Sequence, residues 1–510
     1  MRNPLTKRIP KELAKDAAKY IAIFIMMVLL ISMCSGMRVG NESLKAAYYD
    51  SFETYNIEDG HIVFDKPIPD QLRASLEDKI GMKLYDSFYF DETMAETGAD
   101  IRVYKQSAEI NKPCLLSGEF PAADSEIAID RVFAKNNDIK VGDRIVLGGK
   151  ELTVTGFVAL PNYSTLYENN TDAMFDSINF SIAVMTDSGF EAAKSKNFSY
   201  NYAWQYNNDY ADDIEAAELS EKFLDVIEDE LTAYDEAIVK AQVDEITETI
   251  KKGAEEYGEL YQAAIEKKVA DISADAQKGA EEYAALLMAG QQPTKDDLSI
   301  DVDDFTFDII RNTVNAMLSG EEPPVLSEDD FKDAYLSTIE KPKKDDLSVS
   351  LDDFLFGIIE DAVDAEINGE DYEMPADEEF EDEIDKTDII AVDDYVPRYL
   401  NMAVTFSIED IGGDETMTMV MVYMMIALIA FIFAVTISNT VVSEAGVIGT
   451  LRASGYTKGE MIRHYMALPI IVTLIAAVVG NIIGYTAMKD FCIDLYLGSY
   501  SLTTYHTVWD

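Results

Sequence analysis

Three long stretches of the chain carry no charged residue, and they constrain its fold more than any other feature. They run from Tyr20 to Met37, from Thr416 to Ser443 and from Tyr465 to Met488. A helix of about 20 apolar residues, rising about 1.5 Å per residue, crosses the hydrocarbon layer of a membrane. The predicted transmembrane helices are residues 20–38, 417–440 and 465–488.

The first stretch is open to two interpretations, an uncleaved anchor or a cleaved signal peptide. Nineteen residues precede it, and Ile9, Leu13 and Ala17 among them are spaced like one face of a helix. We therefore predict a basic amphipathic segment at 1–19 and an uncleaved anchor after it. A lipoprotein site at Cys34 is disfavoured because Met33 stands where such a site needs a small residue.

Basic residues predict the orientation of these helices. The ones that flank the spans are Arg2, Lys7, Arg8, Lys11, Lys15, Lys19, Arg452, Lys458 and Arg463. Basic flanks stay on the cytoplasmic side, so the amino terminus and the loop at 441–464 are predicted to be cytoplasmic. Residues 39–416 and the tail at 489–510 are then external, in a multi-pass protein of the cell membrane.

The acidity of the chain lies almost entirely in this external region. The formal net charge is −54, and residues 41–417 hold 88 acidic and 30 basic residues. Nucleic acid is excluded as a partner, because phosphate binding needs a cationic surface. With three cysteines in the chain, no disulfide framework is predicted.

Residues 39–210 have the pattern of an α+β domain, to which residues 391–416 return. Alternating apolar residues at 145–147 and 152–158 flank Gly148 and Gly149, which predicts a β-hairpin. A short strand at 126–129 and a helix at 130–136 precede it. The Gly149-Lys150 pair is not a phosphate loop, because a strand follows it instead of a helix.

Residues 211–390 read as an acidic, mostly helical insertion with coiled-coil-like spacing. Apolar residues recur every three or four positions up to about Gly290, which predicts a helical hairpin with its turn near Gly253 or Gly258. The pentad GAEEY occurs at Gly253 and again at Gly279. Coincidence in an Ala/Glu-rich helix and duplication both explain so short a match.

A longer repeat follows within the insertion. The segment that begins at Lys295 returns at Lys344, with eleven of sixteen positions identical at an offset of 49. Each copy predicts a capped helix, with Asp301 or Ser350 as the N-cap and Gly320 or Gly369 at the end. The alternative is a calcium site at Asp297, Asp301 and Asp303, although the glycine and the distal glutamate of a calcium loop are absent.

The sequence contains no recognisable set of catalytic residues. The three histidines, His61, His464 and His506, have no zinc-site spacing, and no phosphate-binding loop is present. We therefore predict no enzymatic activity, no cofactor and no metal in this chain.

The loop between the second and third spans has a distinctive pattern. The second span can continue as a helix through Glu444 and Arg452 until Gly455 stops it, and Thr457 with Glu460 forms a capping box for the next helix. The glycines in the helical part favour close packing against another surface. An ordinary connector between two spans is the alternative.

This loop, SEAGVIGTLRASGYTKGEMIRHYMALP, resembles the permease domain of FtsX-like ABC transporters, which include MacB-type and lipoprotein-releasing permeases. The stretch from Leu115 to Val158 is similar to the extracytoplasmic core of that family. The resemblance implies a coupling helix that docks on a separate cytoplasmic ABC ATPase, which binds the ATP. The coupling residues that it implies are Glu444, Ala445, Gly446, Ile448, Gly449, Leu451, Arg452, Ala453 and Gly455.

The resemblance has one departure and leaves one region unexplained. Family members have a fourth span, whereas this chain ends at Asp510, so we expect a chain truncated before that span. Residues 211–390 fall outside the resemblance.

The function expected is that of an ABC transporter permease subunit. Together with a second permease chain in the lipid bilayer, it would couple ATP hydrolysis to movement of the external domain, for export, extraction or mechanotransmission. The alternative is a membrane-anchored surface protein whose acidic insertion binds an external partner, without transport. A membrane-bound hydrolase is a third possibility that no residue pattern selects.

Overall fold

A computed structural model describes residues 8–193, 197–323, 328–380 and 382–509. The predicted basic residues Arg2 and Lys7, and the terminal Asp510, lie outside these ranges. The chain divides into two compact units: residues 1–232 with 390–510, and residues 233–389, which we call the acidic unit.

Three helices in the described part of the chain are long and apolar enough to cross a membrane. The first is α2 (Ala17–Thr54), which follows the short helix α1 (Ile9–Lys15), and the second is α10 (Met402–Ser443). The third comprises α12 (Lys458–Ile483), a π-helical turn (Gly484–Met488) and α13 (Lys489–Leu497). All three continue well beyond the predicted spans.

Small residues bring α2 and the third membrane helix close together. A Cβ added at Gly480 would lie 2.8 Å from Cβ of Ile31, and one at Gly36 would lie 2.7 Å from Cγ of Met488. Such close backbone approach is common between membrane helices, where packing replaces the hydrophobic driving force. The two helices therefore form a fixed pair.

The α/β domain lies between α2 and α10 in sequence. Its strands are β1 (Gly60–Phe64), β2 (Met82–Asp86), β3 (Tyr89–Thr93), β4 (Asp100–Lys105), β5 (Cys114–Gly118), β6 (Glu126–Asp130), β7 (Arg144–Leu147), β8 (Lys150–Ala159), β9 (Phe180–Met185), β10 (Phe198–Tyr206) and β11 (Val392–Pro397). Its helices are α3 (Asp70–Ile80), α4 (Arg131–Asn136) and α5 (Asp187–Ala193). Within the described residues these strands join in one sheet, ordered β11-β1-β10-β3-β4-β9-β6-β8-β5, with β2 beside β10 and β7 beside β8.

The core of the α/β domain is made of branched and aromatic side chains on the central strands. Ile101, Ile129, Val154 and Ile182 are fully buried there, and Phe133 of α4 packs with them. Burying such side chains contributes about 1.5–3 kcal/mol each. The α+β domain predicted from the sequence is confirmed as strands and helices around one mixed sheet.

The predicted β-hairpin is confirmed as β7 and β8. Ile145 pairs with Leu152, and Gly148 and Gly149 both have positive φ, 56° and 78°. Two positive-φ residues give the turn whose twist matches the strands. The predicted helix at 130–136 is also present as α4, with the Asp130 carboxylate capping it through the N–H groups of Val132 and Phe133.

The predicted helical hairpin is wrong, because residues Asp213–Met288 form one helix, α6. Its first part belongs to the unit that holds the α/β domain, and the rest to the acidic unit. Gly253 stays helical and lets another side chain approach: a Cβ there would lie 2.5 Å from Cδ1 of Ile359. A proline-free, Ala/Glu-rich sequence tolerates a single glycine at a cost of about 1 kcal/mol.

The long repeat forms α7 (Asp304–Ser319) and α9 (Asp353–Asn368), with α8 (Glu328–Tyr335) between them. The predicted N-caps Asp301 and Ser350 are wrong: Asp303 and Asp352 accept the capping hydrogen bonds, each 2.7 Å long. The predicted helix ends are confirmed, because Gly320 and Gly369 have φ of 74° and 73°.

Each copy of the GAEEY pentad packs against one copy of the long repeat. Glu256 in the first GAEEY accepts the N–H of Ser348 in the second long repeat, and Glu282 in the second GAEEY accepts the N–H of Ser299 in the first, each at 2.7 Å. Tyr257 contacts Phe356, and Tyr283 contacts the equivalent Phe307, with ring centroids 5.9 and 5.8 Å apart. GAEEY and the long repeat are therefore two parts of one duplicated packing motif.

Candidate coupling site

The predicted coupling residues lie in and around one short helix at the end of the bundle opposite the α/β domain. Helix α10 ends at Ser443, Glu444 breaks the helical hydrogen bonding, and α11 runs over Ala445–Ala453. The expected uninterrupted continuation of the second span through Arg452 is therefore wrong at Glu444, which has φ −102° and ψ 16°.

Helix α11 is open to its surroundings. Ile448 and Leu451 are half-buried, and Ala445, Gly446, Gly449, Arg452 and Ala453 are exposed. A Cβ at Gly446 or Gly449 would meet no atom within 4 Å. The close packing expected of these two glycines is therefore not made by the described residues of this chain.

The turn after α11 has the predicted chemistry. Gly455 has φ +99°, a conformation that glycine adopts at little cost, and the helix ends two residues before it. Thr457 then caps α12, and the Glu460 carboxylate accepts its backbone N–H at 2.8 Å in return. The predicted stop and capping box are both confirmed.

Glu444 faces inward, toward a cluster of polar side chains that the sequence did not reveal. We call Arg8, Glu12, Glu444, His464 and Tyr465 the polar cluster. The Glu444 carboxylate accepts the Tyr465 hydroxyl at 2.8 Å and lies 3.4 Å from the Arg8 guanidinium. Glu12 lies 3.1 Å from the Arg8 guanidinium and 3.2 Å from Nε2 of His464, which is 5% exposed.

The polar cluster connects three elements that are distant in sequence. Arg8 directly precedes α1 and Glu12 lies on it. Glu444 joins α10 to α11, and His464 and Tyr465 lie on α12. Charged side chains near a membrane interface can be recognised in the sequence. Their pairing with residues more than 400 positions away cannot be predicted from it, since the pairing depends on how the helices pack.

At the other end of the bundle, the three membrane helices pack on each other beyond their apolar stretches. Leu44 of α2, Ile411 of α10 and Ile493 of α13 are completely buried together. Hydroxyls of Tyr496 and Tyr500 donate to carboxylates of α10, Asp414 at 2.7 Å and Asp410 at 2.6 Å respectively. Lys45 of α2 also pairs with Glu415 of α10.

These helix ends are attached to the α/β domain. The Ser164 hydroxyl lies 2.9 Å from the Val404 carbonyl and 2.8 Å from the Ser407 hydroxyl of α10. The Ser164 carbonyl accepts the N–H of Ser501 in the tail, also at 2.8 Å. The α/β domain, the second span and the segment after the third span therefore meet at one residue.

The tail also contacts the capped start of α4. Ser501 donates to the Asp130 carboxylate, and the Arg131 guanidinium donates to the Tyr500 carbonyl at 3.0 Å. Burial raises the pKa of Asp130, while the Ser501 hydroxyl and the N–H groups of Phe133 and Val132 favour its charged form.

Comparison with known proteins supports the resemblance found in the sequence. Residues 419–510 match the FtsX-like permease C-terminal family, and this range contains most of α10 and all of α11, α12 and α13. The resemblance to FtsX-like permeases is therefore confirmed for this part of the chain. No curated protein matches the chain.

Matches among solved structures include the extracellular domain of the noncanonic ABC-type transporter YknZ from Gram-positive bacteria. It is 16% identical, and the match covers 31% of this chain and 91% of that domain with a TM-score of 0.20.

Proposed function

We propose that the chain is the permease subunit of an ABC transporter and that a separate cytoplasmic ATPase binds it through α11. The observation that carries this proposal is the exposed helix α11 inside a segment that matches FtsX-like permeases. Gly446 and Gly449 leave room on its surface for a partner to approach closely. ATP is bound and hydrolysed by that partner.

The orientation follows the positive-inside rule. The end of the bundle with α11 and the polar cluster faces the cytoplasm, where the ATPase is located, and the α/β domain lies outside the cell. The second permease chain that the resemblance implies would supply the other half of the transporter in the bilayer.

Movement of α11 would reach the α/β domain through α10. Helix α10 contains 42 residues, about 63 Å at about 1.5 Å per residue, and it leads from the α11 junction to the hydrogen bonds with Ser164. The polar cluster joins Glu444 to α1 and α12, so a shift of α11 that displaces Glu444 acts on α1, α10 and α12. A nucleotide-driven tilt of α11 would therefore change the position of the α/β domain.

This proposal is tested by placing a bulky charge on the exposed surface of α11. Gly449→Arg should reduce the ATPase that copurifies with the permease by at least about tenfold, since a mismatched charge at an interface costs about 1.4 kcal/mol or more. The matched control is Gly413→Arg, because Gly413 is also an open helical glycine but lies at the other end of α10. Equal copurification of both variants contradicts the proposal.

A further inference from the structure

The acidic unit contains a large apolar groove. Its volume is about 990 Å³, and α6 forms its floor while α7, α8 and α9 form its walls. The floor includes Ile265, Val269 and Ile272, and the walls include Phe305 of α7 and Ile367 of α9. Val269 is 39% exposed, so the floor is accessible.

The groove is a consequence of the duplicated packing motif. The two GAEEY segments start 26 residues apart on α6, which corresponds to about 39 Å along a helix. Each is covered by its own copy of the long repeat, with Ile310 over Gly279 and Ile359 over Gly253. The apolar stretch of α6 between the two covered segments is left open.

The charge around the groove is negative. Among the described residues that line it are two carboxylates, Glu266 and Glu366, and no basic residue. Neither carboxylate forms an ion pair within the described part of the chain. Lys268 is nearby, with its ammonium 5.8 Å from the centre of the Tyr335 ring. The acidic unit as a whole holds 45 acidic and 13 basic residues, a net charge of −32.

The negative charge around the groove distinguishes between the partners that could bind there. A second copy of the acidic unit would bring the same net charge of −32 and would be repelled. A neutral apolar segment would fill the floor but leave Glu266 and Glu366 beside it without counter-charges. A cationic amphipathic helix fits both the apolar floor and the two carboxylates. Its apolar side chains at i, i+3, i+4 and i+7 would lie on the floor, and its basic side chains would lie at the rim.

We propose that this groove binds a cationic amphipathic peptide helix from outside the chain. The inference concerns the acidic unit alone and does not depend on the function proposed for α11. Association should weaken as salt increases, because the rim charges are exposed and a Debye length is about 10 Å at 0.1 M ionic strength.

The test uses the full chain in nanodiscs of zwitterionic lipid. The probe is a 16-residue leucine/lysine peptide with leucines at helical spacing and a benzophenone photo-cross-linker. Two further peptides have glutamate in place of lysine, or the same composition in scrambled order. The expected result is a cross-link of the lysine peptide, and of neither comparison peptide, to residues 258–273 or 305–309.

Matched charge variants complete the test. The double variant Glu266→Gln with Glu366→Gln should weaken binding of the lysine peptide by about three- to tenfold, since an exposed ion pair contributes about 0.2–1 kcal/mol. Glu248→Gln with Glu281→Gln removes the same charge from exposed positions of α6 outside the groove and should change the affinity by less than about twofold. Cross-links elsewhere, equal binding of the glutamate peptide, or equal loss in both double variants overturns the proposal.

Discussion

Individual side chains decide how the junction between α10 and α11 is held. Glu444 matches a position of the FtsX-like coupling pattern, yet its carboxylate faces Arg8 and Tyr465. Its position fits a residue that orients α11, whereas the exposed Gly449 fits one that contacts a partner. The sequence pattern alone does not separate these two roles, because both residues belong to the same short run.

Exchange of the Arg8 and Glu444 charges tests this assignment. Arg8→Glu would place a third carboxylate beside Glu12 and Glu444, and Glu444→Arg would set two guanidinium groups together. Each single variant should lower the free energy of unfolding by about 1 kcal/mol, and the double variant should recover at least about half of the summed loss. Unfolding midpoints in detergent measure this, and strictly additive losses contradict the ion pair.

The structural elements that were predicted correctly are those whose sequence patterns involve only neighbouring residues. The Gly148-Gly149 turn, the Thr457 capping box and the Gly320 and Gly369 helix ends depend on a few adjacent residues, and all are confirmed. The prediction of a helical hairpin is wrong because Gly253 does not form a turn. It packs against Ile359, a residue over 100 positions away in the sequence. The pairing of the repeats is non-local for the same reason.

The N-caps of the repeat helices provide a test at this scale. Asp352 accepts the N–H of Leu355, whereas Ser350, the cap predicted from the sequence, lies two residues earlier. Asp352→Ala should lower the opening free energy of α9 by about 1 kcal/mol. Ser350→Ala should leave it within about 0.5 kcal/mol, as for a surface substitution. Amide hydrogen exchange on the full chain measures both, and equal acceleration of α9 exchange in both variants contradicts the observed cap.

For the whole molecule, the charge distribution and the two compact units divide the chain in a similar way. Helix α11 and the α/β domain belong to one unit, and the acidic residues concentrate in the other. The sequence predicted this division from composition, with an insertion at 211–390 where the acidic unit covers 233–389. The groove could not be predicted, because it exists only where the duplicated motifs leave α6 open.

Removal of the acidic unit separates the permease from the surface-protein alternative. Residues 233–389 would be replaced by a short Gly/Ser linker between Thr232 and Ile390. If the chain is a permease coupled through α11, the copurified ATPase should stay within about twofold of the full chain, a change under about 0.5 kcal/mol. An anchored surface protein would copurify no ATPase in either form.

A photo-cross-linkable amino acid at Thr450 tests whether α11 contacts a cytoplasmic ATPase. Thr450 is exposed on α11, whereas Thr416 is exposed on α10, nearer the end of that helix that contacts the α/β domain. Irradiation of cells should cross-link the Thr450 variant, and not the Thr416 variant, to a protein that binds ATP. Cross-linking of neither position to such a protein, or of both equally, would contradict coupling through α11.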